Sequence, residues 1–179
     1  MGRTFREREP GAIYHIITKG ISEIKLFKKK KEKEKYLQLI AKYQEIFKFT
    51  IYGFCIMDTH AHLIIGSNGA DISKFMQGIN GSYVSFYNKV HVRQGHALKD
   101  RFSSYIISDD NYLLNASIYV HRNPKAIKEY SNKIEKYKYS SLLAYIDENF
   151  EENTFMPVDT GLIFALLNQN KEKAREEYY

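Results

Sequence analysis

"TIYGFCIMDTHAHLIIG", residues 50–66, decides the fold. Two runs of β-branched and aromatic residues flank Asp58 and Thr59, which supply turn chemistry. Residues 50–57 and 60–66 therefore read as neighbouring antiparallel strands. The second strand carries His60 and His62. Strand side chains alternate, so both imidazoles share one face, while Ala61, Leu63 and Ile65 take the other. The two rings sit about 6–7 Å apart along the chain. Neutral imidazoles so placed can converge on one divalent ion. The same pattern also fits two unrelated histidines, one at a sheet edge and one hydrogen-bonded. Two ligands do not complete a site in either case.

The rest of the fold reads outward from this hairpin. Residues 12–20, "AIYHIITKG", form a strand ending at glycine. In "KKKEKEKYLQLIAKYQEIFKF" the residues Tyr36, Leu39, Ile40, Tyr43, Ile46 and Phe47 follow helical spacing. Past the hairpin, Ile72, Phe75, Met76, Ile79, Tyr83, Phe86 and Tyr87 make a second apolar helical stripe, with Asp71 as its cap. "SSYIIS", residues 103–108, is a fourth strand. The order β-α-β-β-α-β predicts an α+β fold with a ferredoxin-like antiparallel sheet. "DDNYLLNASIYVHRNP" adds a third helix, with Asp109 and Asp110 near its start and Pro124 past its end. Residues 1–146 read as one domain, and 147–179 as a C-terminal tail or accessory helix.

Composition narrows the function. The 179 residues carry a formal net charge of +6, which suits a polyanionic partner without proving one. Fifteen tyrosines and no tryptophan offer stacking surfaces for unpaired bases, although tyrosines also pack cores. One cysteine, Cys55, excludes an internal disulfide and a four-cysteine zinc site. No apolar run reaches the roughly 20 residues of a membrane span, and the charged start does not resemble a signal peptide. A cytoplasmic protein with no membrane partner is expected.

The third helix holds candidates for the missing half of a site. In "YVHRNP", Tyr119 and Asn123 lie four apart on one helix face. Asparagine can offer an oxygen ligand, and tyrosine a nucleophile for phosphoryl chemistry. Ordinary packing of Tyr119, and Asn123 as a plain helix stop before proline, fit as well. His121 lies off that face. Cationic residues for a nucleic-acid grip fall in three places: Arg3 and Arg6 in the N-terminal arm, Lys28 and Lys29 before the first helix, and Arg93, Lys99 and Arg101 in "NKVHVRQGHALKDR". The lysine run also reads as a solvated helix start.

"GFCIMDTHAHLII" resembles the signature of single-tyrosine HUH transposases, named for a histidine, hydrophobic residue, histidine triplet. "YVHRNP" resembles their tyrosine segment. "GAIYHIITKG" resembles their first strand, and "ISKFMQGINGSYVSFYNK" with "GHALKDRFSSYII" their second helix and the strand after it. The branch with REP-associated tyrosine transposases is the nearest in pattern. The resemblance runs over residues 10–145 in family order. It implies His60 and His62 as metal ligands, Tyr119 as nucleophile, and Asn123 as the polar residue completing the metal site. Ala61 is smaller than the usual middle residue, and Asp58 and Thr59 stand where Pro-Asn is usual. The resemblance further implies Mg2+ or Mn2+ as cofactor and single-stranded or hairpin DNA as partner. It implies cleavage and rejoining through a 5′-phosphotyrosine intermediate, in a bacterial or archaeal cytoplasm. Homodimer and monomer both stay open. Two other readings remain: a non-catalytic nucleic-acid-binding protein of the same fold, and a metal-dependent phosphodiester hydrolase.

Overall fold

A computed structural model describes residues 9, 11–21, 24–147, 150 and 156–178. Arg3 and Arg6 lie outside the described residues. The chain runs β1 (Ile13–Lys19), α1 (Lys30–Phe47), β2 (Thr50–Ile56), β3 (His60–Gly66), α2 (Ile72–Val90), β4 (Ser103–Ile107) and α3 (Asp110–Arg122). Three short 3-10 turns follow, then α4 (Leu142–Ile146), α5 (Gly161–Leu167) and α6 (Lys171–Tyr178). The four strands form one antiparallel sheet in the order β2-β3-β1-β4, as the split motif requires.

Local chemistry sets the helix starts. The Asp71 carboxylate accepts from the Ser73 N–H at 2.8 Å, and Asp109 accepts from Tyr112 N–H at 2.8 Å. At α1 the Glu32 carboxylate reaches back to the Lys29 N–H at 2.7 Å.

Each sheet face has its own core. On one, α1 and α2 bring Tyr36, Leu37, Ile40, Phe75 and Ile79 onto Ile16, Phe54, Ala61, Leu63 and Ile65. The second face is covered by α3 with α4 to α6, where Ile64 and Cys55 meet Leu113, Val120, Tyr145, Phe164 and Tyr178. Ile163, Phe164, Ala174 and Tyr178, all from the 147–179 segment, belong to this second core.

β2 does not keep a strict two-residue period. Its register against β3 shifts between Ile51 and Gly53, so Tyr52 is an extra residue. Such a bulge turns the strand's later side chains over. Ile51 and Phe54, three apart, consequently reach the same core. The outer edge of β2 is also occupied. The Ile56 N–H donates to Tyr139 O at 2.9 Å, Ser141 N–H to Phe54 O at 3.0 Å, and Asp159 N–H to Ile51 O at 2.8 Å. Covering an edge in this way blocks pairing with another chain.

The turn before His60 is tied down by a buried lysine. Lys33 Nζ donates to the Phe27 carbonyl and to Asp58 Oδ1, the latter at 2.6 Å. Lys33→Met keeps the stem and removes both bonds. It is expected to cost about 2 kcal/mol, because Asp58 is partly solvated and a charge-assisted bond there is moderated. The check is a lower urea midpoint at unchanged slope.

Candidate active site

The second sheet face, at the end of β3 nearest the turn, is left uncovered where α3 ends. Alternation along β3 points His60 and His62 into this gap. Tyr119 in the last turn of α3 and Asn123 at its C-cap, four residues on, lie over it. The cleft holds about 330 Å³ and is lined by Ile17, Lys19, His60, His62, Lys99, Asp100, Phe102, Ser103 and Tyr119.

The side chains touch in a definite pattern. His60 Nε2 lies 3.5 Å from Asn123 Oδ1, and His60 Nδ1 lies 2.9 Å from Thr59 Oγ1. The Asn123 amide N–H donates to the Tyr119 carbonyl at 2.9 Å, which turns its oxygen toward His60. The His60 and His62 rings are 4.9 Å apart at 87°. Tyr119 stands edge-on to His62 with centroids 5.4 Å apart, and remains 55% exposed. His62 is 2% exposed, and its Nε2 is buried with no hydrogen-bond partner among the described residues.

Both histidines are held neutral. Burial, then the neighbouring His60 and His15 rings, push His62 down to about 3. His60 is lowered by burial and, less, by Lys19, while its contact with Asn123 works the other way. Neutral imidazole is the form that ligates a metal. An unpaired buried nitrogen beside a second imidazole and an amide oxygen fits a divalent cation. Among the described residues no three His, Cys, Asp or Glu side chains cluster for a metal, and the Asn123 amide oxygen is a donor within reach beside the two imidazoles.

Of the expected residues, the structure brings Tyr119, His60, His62, Asn123 and Lys99 together. Arg101 lies beyond Phe102, in a neighbouring hollow against α2. Arg93 folds back, donating to Asn88 Oδ1 and His96 O, each at 3.2 Å. Lys28 and Lys29 are exposed at the start of α1. His121 is off the cleft, as its helical position requires. It is buried, with Nδ1 at 2.6 Å from Tyr178 Oη and Nε2 at 2.6 Å from Ser141 Oγ.

Lys19, which lines the cleft, and His15, which contacts His62, were not picked from the sequence. Lys19 sits directly opposite His60 in the β1–β3 register. His15 lies on the same face, its Nε2 2.9 Å from His62 Nδ1. Position along β1 was readable, but only the register shows which β3 residues they meet. Lys99 enters because the Lys99 N–H donates to Lys19 O at 3.0 Å, pinning its loop to the end of β1.

A sequence model described as "Transposase IS200 like" matches residues 10–123. The chain belongs to the IS200-like transposase family. The matched segment takes in His15, Lys19, His60, His62, Lys99 and Tyr119, and closes on Asn123. A search of curated proteins gives no significant match for this transposase. Among solved structures, the REP-associated tyrosine transposase bound to a REP hairpin is similar in fold, with a TM-score of 0.69 at 13% identity. The alignment covers 89% of this transposase and 93% of that chain. No helix among the described residues is long and apolar enough to cross a membrane.

Proposed function

We propose that this transposase cleaves and rejoins single-stranded DNA next to a hairpin, through a tyrosine-linked intermediate. One observation carries the reading: the tyrosine ring, the unpaired Nε2 of His62, His60 Nε2 and Asn123 Oδ1 all meet at one basic cleft. The solved relative with a bound REP hairpin supports hairpin DNA as the partner.

The residues divide the work as follows. Lys19 and Lys99 draw the DNA backbone into the cleft by charge. His60, His62 and Asn123 would hold a divalent cation, Mg2+ or Mn2+, which would offset charge developing on the scissile phosphate. The Tyr119 hydroxyl loses its proton to solvent and attacks phosphorus. A P–O bond to Tyr119 forms, and the bond to the 3′-oxygen breaks. That oxygen takes a proton and leaves as a 3′-OH. The phosphodiester energy is retained in the 5′-phosphotyrosine link, so a second 3′-OH can reverse the step and join strands. Phenols are weak nucleophiles until deprotonated, so this step needs a cationic, positioned site.

The test uses labelled single-stranded oligonucleotides carrying a hairpin and its flanks, with Mn2+ or with chelator. A covalent protein–DNA adduct that survives denaturation is expected only with Mn2+. His60→Ala is expected to lower adduct formation at least roughly 100-fold while leaving DNA affinity within about threefold, since phosphate contacts carry the affinity. Equal loss of binding and cleavage would make His60 structural. Binding with no cleavage under any metal would point to a DNA-binding protein without chemistry.

A further inference from the structure

We infer that His15 is a positioning residue that fixes the tautomer of His62, and through it aims His62 Nε2 at the cleft as an open lone pair. The inference deepens the proposed function, since it assigns a second residue behind the metal site.

The geometry comes from the sheet. Ile17 pairs with His62 and His15 pairs with Ile64 across β1 and β3. His15 is therefore the diagonal neighbour of His62 on the same face, within reach of an aromatic ring. Its Nε2 lies 2.9 Å from His62 Nδ1, and the rings stack with centroids 5.2 Å apart at 29°. His15 is buried, with Tyr119 and Tyr105 packed at 6.0 Å and 6.4 Å.

Two neutral imidazoles at this distance share one proton, so two arrangements compete. If His15 donates, His62 carries its proton on Nε2. That leaves a buried N–H without an acceptor, pointing where an ion would sit. If His62 donates from Nδ1, its Nε2 is only an unfilled lone pair. Buried orphan donors are rarer in folded proteins than under-used acceptors. The second arrangement is also the one that can ligate. Ligating histidines are characteristically held this way, by an acceptor on the other ring nitrogen. Here that acceptor is an imidazole, so the orientation of His62 depends on a residue 47 positions away in sequence. His60 differs, for its Nδ1 is served by the adjacent Thr59 hydroxyl.

The experiment compares wild type with His15→Phe, which keeps a ring and removes the acceptor, and His15→Gln, which restores one. Nitrogen-15 NMR of the metal-free imidazoles reads the tautomer, with His62→Asn used for assignment. Wild-type His62 should be protonated on Nδ1, and His15→Phe should shift it toward Nε2–H. Mn2+ binding, followed by the EPR signal of free Mn2+, should weaken roughly 10–100-fold in His15→Phe and recover most of that in His15→Gln. A wild-type His62 protonated on Nε2 overturns the inference, as does unchanged Mn2+ affinity in His15→Phe. If wild type binds no Mn2+, the metal reading of the cleft fails, and the His62 tautomer alone decides the role of His15.

Discussion

Tyr119→Phe should abolish the covalent protein–DNA adduct, with cleavage reduced by at least roughly 10³-fold. The substitution removes one oxygen. The ring stays against His62 and His15, at 5.4 Å and 6.0 Å between centroids, so the cleft keeps its shape. Because Tyr119 is 55% exposed, the variant should unfold within about 0.5 kcal/mol of wild type. DNA affinity should hardly change, since Lys19 and Lys99 are untouched. The measurement is a denaturing gel of labelled hairpin oligonucleotide beside a urea melt. Cleavage that persists without an adduct would mean that water is the nucleophile, and the protein would be a hydrolase with Tyr119 as bystander.

Acid should destabilise the fold well before the carboxylates titrate. Burial sets His121 at about 3, and burial with two neighbouring rings sets His62 at about 3. In the unfolded chain a histidine titrates near 6.5. Between about 6.5 and 3 the unfolded state thus binds more protons, so stability falls as the pH falls. Above 6.5 this contribution is complete and flat. Each histidine contributes about 1.4 kcal/mol per pH unit in the window, so by pH 4.5 the two together remove roughly 5 kcal/mol. Urea midpoints at pH 7.5, 6 and 4.5 read this directly. His121→Gln should be less stable at pH 7.5, since Tyr178 and Ser141 lose a partner, but should show about half the pH dependence. An equal slope in the variant would sink the assignment.

The hairpin of residues 50–66 was legible because its turn and its alternation agree, and β3 kept that alternation through both histidines. The pairing of Tyr119 with Asn123 was legible because helix geometry fixes what lies four residues apart. The cleft's other half was not. Whether His15 and Lys19 face His62 and His60 depends on cross-strand register, which no local pattern in "AIYHIITKG" encodes. The bulge at Tyr52 was hidden for a similar reason: it is set by how the sheet packs, and Ile51 and Phe54 share a core only because of it. Residues 147–179 read as a tail or accessory helix, yet Phe164 of the apolar α5 and Tyr178 of the charged α6 seat these helices in the core beside α3. Among the described residues, Lys99 is the one expected basic contact that lines the cleft, because charge alone does not tell which loop folds inward.

His121 has a consequence for motion. Both of its ring nitrogens are engaged, one by the last helix and one by a serine that also accepts from the backbone of β2 at 2.8 Å. Twisting α3 about its axis would break both contacts at once. Tyr119, two residues earlier, is left with its own two side-chain torsions as its freedom. The helix is a fixed post and the phenol a swinging arm, so the reach of the Tyr119 hydroxyl, the proposed nucleophile, is a matter of rotamers.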